Sequence, residues 1–213
     1  MCRSLALALA LSLVVPPLSA SAQAPAQKIT LILDWFINPD HGPIIVAQEL
    51  GYFRDAGLNV VMVAPADPND PPKLVAAGRA DLAVSYQPQL TIQAAEGLPL
   101  MRIATLVDTP LNTLVVLRDG PVKAISDLKG RKIGTSVGGF EEAVLKAMLG
   151  RHGVKLSEVT LVNVNFALSP ALLAGQVDAV IGAFRNFELN QLELEGKPGR
   201  AFYPEEEGVP FYD

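Results

Sequence analysis

The chain has 213 residues, half of them hydrophobic, and a formal net charge of -5 at pH 7. That length and apolar content suffice for one or two packed lobes without covalent staples. The acidic balance, with no basic cluster, excludes nucleic acid and an anionic membrane surface as partners and leaves a small molecule.

Arg3 opens a short positive segment, and residues 5–15 form an almost unbroken apolar run that leads through Pro16 and Pro17 into Ala20-Ser21-Ala22. This is the anatomy of a secretory signal peptide over residues 1–22, cut after Ala22, and the run is too short to span a bilayer. Cys2, the single cysteine, precedes the apolar run, so it is not a lipidation site. Cleavage leaves a mature chain without thiols or disulfides, held together by its core.

From Lys28 onward, short apolar strands alternate with helical patterns, the signature of a mainly parallel, helix-covered sheet. The pattern predicts a strand over 28–33, a helix over 42–50 closed by Gly51, and a strand over 59–63. A Pro- and Asp-rich loop over 65–72 follows, then a helix over 73–77, a strand over 80–85, a helix over 89–96 and a strand over 100–106. Residues 28–110 are expected to make a first lobe. After a polar link with Pro110 and Asn112, a second lobe is expected over 113–205. It begins with a strand over 114–117, a turn over 126–130 and a strand over 132–135. The Gly-rich turn 136–139 then feeds a helix over 140–152, and a strand over 160–163, a helix over 170–174 and a strand over 177–182 complete it. Residues 206–213 read as the start of a crossover back to the first lobe, so the chain is expected to be C-terminally truncated. The fold class is α/β, two lobes with a ligand cleft between them.

The first strand ends in Asp34 and the chain's only tryptophan, Trp35, with Asn38 and His41 before the next helix. Open α/β sheets place ligands at such strand ends. An indole there can stack on a planar heterocycle while Asp34, Asn38 and His41 hydrogen-bond its ring nitrogens or amino groups. Core packing for Trp35 and helix capping for Asp34 or Asn38 are the structural alternatives. His41 reads as a hydrogen-bonding wall, with a structural role as the alternative, rather than as a base or metal ligand, because the only other histidine, His152, ends a helix and no metal cluster can be assembled. Tyr86 is placed to sandwich a ring against Trp35.

In the turn Thr135-Ser136-Val137-Gly138-Gly139, glycines before a helix expose backbone N–H groups that suit a phosphate or a formyl group, so Thr135, Ser136 and Gly138 join the candidates. Without a lysine it is not a P-loop. Asn186 and Glu188 fall at the second lobe's rim or at the crossing between lobes. There Glu188 either accepts from an exocyclic amine or starts a solvated helix. Arg185 reads as a surface residue, and Asp67, Asn69 and Asp70 as a solvated turn lacking the glycine and glutamate of a calcium loop. No catalytic residue, cofactor or metal is expected.

Leu33-Asp34-Trp35 with Asn38, His41 and Gly42, followed by Ala47, Glu49, Gly51-Tyr52-Phe53 and Ala56-Gly57-Leu58, resembles the start of the NMT1/THI5-like family. Lys73-Leu74-Val75 with residues 78–85 is similar to its second motif, and residues 128–134 to its third. The resemblance implies a type II periplasmic-binding-protein fold and a monomeric extracytoplasmic receptor. It would bind an aminopyrimidine precursor of thiamine, of the formylaminopyrimidine or hydroxymethylpyrimidine type, for the permease of an ABC importer. Fungal members resemble a cytosolic pyrimidine synthase with a Cys-rich cluster, but the corresponding region here reads Gly208-Val209-Pro210-Phe211-Tyr212, with no thiolate. The Gly51–Leu58 motif is shared with binding proteins for sulfonates and nitrate-like solutes, which leaves riboflavin, sulfonate or nitrate-class ligands, and a pyrimidine-synthesis enzyme, as alternatives.

Overall fold

The computed structural model describes residues 25–209. The expected leader over 1–22 and residues 210–213 of the expected crossover lie outside the described residues.

The N-terminal half builds a three-stranded parallel sheet from β1 (Gln27–Ile32), β2 (Leu58–Val63) and β3 (Leu82–Ala83), in the order β2-β1-β3. Between the strands run α1 (Gly42–Glu49), α2 (Tyr52–Asp55) and α3 (Pro71–Ala76), and α4 (Gln87–Ala95) follows β3. Proline in the first turn of α1, α3 and α4 fixes φ where no intrahelical donor is needed. Gly51, at φ +80°, takes the left-handed turn that joins α1 to α2. Leu31, Leu33 and Ile44 form the buried centre of this half, with Phe53, Val60, Met62 and Leu82 packed on it.

The C-terminal half is a five-stranded sheet of β4 (Asn112–Leu117), β5 (Lys132–Thr135), β6 (Thr160–Asn163), β7 (Ala179–Phe184) and β8 (Gly199–Phe202), ordered β6-β5-β7-β4-β8. Here β5 is parallel to β6 and β7, whereas β4 runs antiparallel to both of its neighbours. α5 (Phe140–Arg151) covers one face, and α6 (Leu168–Leu173) and α7 (Glu188–Leu194) cover the other. The strand period of two is visible in β4: Leu114 and Val116 pack under α5 with Ile133, Leu145, Met148 and Leu149, while Val115 packs under α6 and α7 with Leu172 and Leu192. Burial of both faces explains why the central strands read as continuous apolar runs.

Two sequence expectations fail here. The segment 100–106 is not a strand: it is mostly apolar like one, yet among the described residues no strand pairs with it, and Met101 and Ile103 are 81% and 68% exposed. The strand expected over 80–85 is shorter: only Leu82 and Ala83 form β3, flanked by the Asp81 and Val84 N–H groups, which donate to the Thr30 and Ile32 carbonyls of β1 at 3.1 and 2.9 Å. The 65–72 loop is also more than a solvated turn. Asn69 donates from Nδ2 to the Ser136 carbonyl at 3.1 Å and accepts the Gly138 N–H on Oδ1 at 2.8 Å, tying the loop after β2 to the turn before α5. Asp67 Oδ1 in turn accepts from the Asn69 backbone N–H and Nδ2, at 2.8 and 2.9 Å, and these bonds hold the Asp67 carboxyl below the usual range.

Candidate ligand-binding cleft

Past its last residue β1 still donates from Leu33 N to the Val63 carbonyl, so the strand direction carries Asp34 and Trp35 to the sheet's C-terminal edge. Asn38 then caps a single 3-10 turn, Pro39–His41, with Oδ1 accepting the Asp40 N–H at 2.9 Å. In the same turn the Asn38 N–H donates to His41 Nδ1 at 3.2 Å. That leaves Nε2 as the protonated ring nitrogen, and it donates to Asp34 Oδ1 at 2.8 Å. His41 is 2% exposed and does not line the cleft; it stands behind Asp34 and orients it, which corrects its reading as a wall of the site.

The cleft lies between the two sheets and is nearly closed, with about 20 Å³ of free space, room for about one water molecule. Asp34, Trp35, Asn38 and Tyr86 line it from the N-terminal half. From the C-terminal half come Asn112, Val137, Glu141, Phe184, Phe187 and Glu188. No lysine or arginine is among the described residues lining it.

The two aromatic anchors are each packed into a different part of the C-terminal half. Trp35 meets Phe166 edge-on at 4.7 Å and Phe36 at 5.7 Å, within the cluster under α6 and α7. Tyr86 lies 5.4 Å from Phe140 and perpendicular to Phe184 at 6.1 Å, within the cluster under α5. Both rings border the cleft, but among the described residues no ring contact joins them. The indole Nε1 of Trp35 is buried and has no acceptor among the described residues.

Two carboxyls face the cleft from the C-terminal half. Glu141, in the first turn of α5 and 2% exposed, accepts the Ser136 N–H on Oε2 at 2.8 Å. Burial pushes it up to about 8, against the pull of the Ser136 and Val137 N–H groups. Glu188 accepts the Phe184 N–H on Oε2 at 2.6 Å, and burial pushes it up to about 7. Gly182, at φ +92°, lies beside Glu141: a Cβ there would overlap its carboxyl, so only glycine leaves room for it.

The Gly-rich turn is engaged differently from the ligand cradle expected of it. Its Ser136 N–H goes to Glu141 and its Gly138 N–H to Asn69, while Ser136 Oγ donates to the Asn165 carbonyl. Thr135 closes β5 against β6, and of the whole turn only Val137 lines the cleft. Asn186 is likewise not a lining residue: its Nδ2 donates to Asp40 Oδ1, a second link between the halves. Arg185 is half-buried rather than a free surface residue, paired with Glu205 at 2.7 Å and lying over the Tyr203 ring at 4.4 Å. Glu141, Phe184, Phe187 and Asn112 were not singled out as site residues from sequence. The signal for Glu141 was present, a carboxylate in the first turn of a helix that follows a strand and a Gly-rich turn.

Two α/β lobes with a cleft at the strand ends define the type II periplasmic-binding-protein fold, and solved structures of that class match. A protein from Bordetella bronchiseptica RB50 superposes with a TM-score of 0.69 at 25% identity, covering 83% of this chain and 56% of that one. The alkanesulfonate-binding protein SsuA from Xanthomonas axonopodis pv. citri superposes with a TM-score of 0.65 at 20% identity, covering 83% and 60%. The chain belongs to the NMT1/THI5-like family, whose model matches residues 38–213. A Haemophilus influenzae protein named for thiamine biosynthesis is 59% identical over 187 residues, which is 88% of this chain and 60% of that protein. The formylaminopyrimidine-binding protein of Halalkalibacterium halodurans is 35% identical over 195 residues, 92% of this chain and 59% of that one. A 4-amino-5-hydroxymethyl-2-methylpyrimidine phosphate synthase of Legionella pneumophila is 30% identical over 166 residues, 78% of this chain and 52% of that one. The chain thus spans about half to three fifths of the length of these curated relatives.

Proposed function

We propose that this chain carries the ligand cleft of an extracytoplasmic solute receptor, with lobes over 28–110 and 113–205, that binds an aminopyrimidine precursor of thiamine and hands it to the permease of an ABC importer. The observation that carries the reading is the chemistry of the cleft wall. Aromatic rings at Trp35 and Tyr86 border a space that presents the acceptors Asp34 and Glu188 and the amide of Asn38. A flat heterocycle with ring nitrogens and an exocyclic amine meets each of these groups with its complement. The names of the thiamine-biosynthesis and formylaminopyrimidine-binding relatives support the same ligand class.

Delivery is favoured over transformation by the state of His41. Both of its ring nitrogens are engaged, by Asn38 and by Asp34, so it is not poised to take a proton from a ligand. A sulfonate ligand is disfavoured by a wall that, among the described residues, has carboxyls and no cationic side chain. Calorimetric titration with formylaminopyrimidine, hydroxymethylpyrimidine, riboflavin and taurine tests the reading. It expects a pyrimidine to bind and taurine not to; binding of neither pyrimidine would sink it.

A further inference from the structure

Resting on the aminopyrimidine reading of the cleft, we propose that Glu141 sets its charge specificity. Its carboxyl occupies the backbone donors at the head of α5, so that the cleft takes the unphosphorylated heterocycle and refuses phosphate monoesters and sulfonates.

The turn between β5 and the 12-residue helix α5 has the geometry of an anion cradle, with successive N–H groups near a helix N-terminus. In this chain the cradle is filled from within. Glu141 Oε2 takes the Ser136 N–H at 2.8 Å, and Val137 supplies a second backbone donor to the same carboxyl. Asn69 takes the Gly138 N–H at 2.8 Å, and on the facing wall Glu188 takes the Phe184 N–H at 2.6 Å. An incoming phosphate or sulfonate therefore finds those donors used and no lysine or arginine among the described residues of the wall. To bind, it must displace Glu141 and lie beside the carboxyls of Glu188 and Asp34.

An amine or a ring N–H meets the opposite situation, because every carboxyl on the wall accepts from it. The exclusion does not depend on Glu141 being ionised, since a neutral acid group occupies the same N–H groups. Gly182 makes the arrangement specific: the backbone beside the carboxyl is stripped of a side chain that would push it out of the cradle.

The test compares hydroxymethylpyrimidine with its phosphate monoester, and adds methyl phosphate as a bare anion probe, by calorimetry on the full chain and on E141A and E141Q. The wild type should bind the monoester at least about 100-fold more weakly than the alcohol. Freeing the Ser136 and Val137 N–H groups in E141A should raise affinity for the monoester and for methyl phosphate at least about tenfold, with E141Q in between. Equal wild-type affinity for alcohol and monoester would overturn the proposal, as would folded variants that gain no affinity for either anion. If E141A fails to fold, E141S, which likewise lacks the carboxyl, decides by the same criterion. If the wild type binds neither pyrimidine, the receptor reading has failed, and the methyl phosphate titrations alone decide the role of Glu141.

Discussion

His41 donates from Nε2 to Asp34 Oδ1 at 2.8 Å while its Nδ1 accepts the Asn38 N–H at 3.2 Å, so one buried ring fixes both the carboxylate and the turn at the end of β1. The ring is therefore structural, and Asp34 reaches the cleft already oriented. Replacing His41 leaves a buried carboxylate and a buried backbone N–H without their partners.

For H41A the expected outcome is a loss of about 1–3 kcal/mol in folding stability, read by thermal or denaturant melting. Affinity for the pyrimidine should fall as well, measured by calorimetry below the melting range. A variant with unchanged affinity would show that the orientation of Asp34 does not matter to the ligand.

The two buried carboxyls give stability a defined pH slope. Glu141 and Glu188 are pushed up to about 8 and about 7, whereas in the unfolded chain they ionise near the ordinary carboxylate value of 4.5. Between that value and the folded ones, the unfolded state releases protons that the folded state keeps, so stability falls as pH rises. The fall should run from about pH 5 to about pH 8 and level off above. Melting temperatures of E141Q and E188Q across this window should decline less steeply than those of the wild type. Parallel slopes would remove burial of these carboxyls as the cause.

Asn69 bridges the halves through two hydrogen bonds, at 2.8 and 3.1 Å, and is not among the residues lining the cleft. N69A should therefore weaken every ligand by a similar factor, on the order of three- to tenfold, because it removes bonds that join the two halves. The rank order of ligands should stay as in the wild type. A change in rank order would place Asn69 in the recognition of the ligand itself.

The parts of the fold that were legible in sequence are those governed by local pattern. β5 and β6 fall at the expected residues because short apolar runs bounded by turns leave little choice of register. Asp34, Trp35, Asn38, Tyr86 and Glu188 border the cleft because strand ends of an open α/β sheet converge there. What escaped depends on distant partners. The apolar run over 100–106 cannot reveal that no strand lies beside it among the described residues, and the antiparallel course of β4 is set by β7 and β8, far along the chain. The Gly-rich turn looked like a ligand cradle because its sequence has the right backbone. That its donors are claimed by Glu141 and by Asn69, 69 positions away from Gly138, is a tertiary fact.

In the proposed function, the cleft between the two sheets holds an aminopyrimidine against Trp35. Calorimetric titration of hydroxymethylpyrimidine and formylaminopyrimidine into the wild type and W35A tests it most directly. The predicted result is one-to-one binding of at least one pyrimidine, weakened by W35A at least about tenfold, as loss of an aromatic stacking partner requires. Absence of binding by both pyrimidines, or equal binding by wild type and a folded W35A, would contradict it.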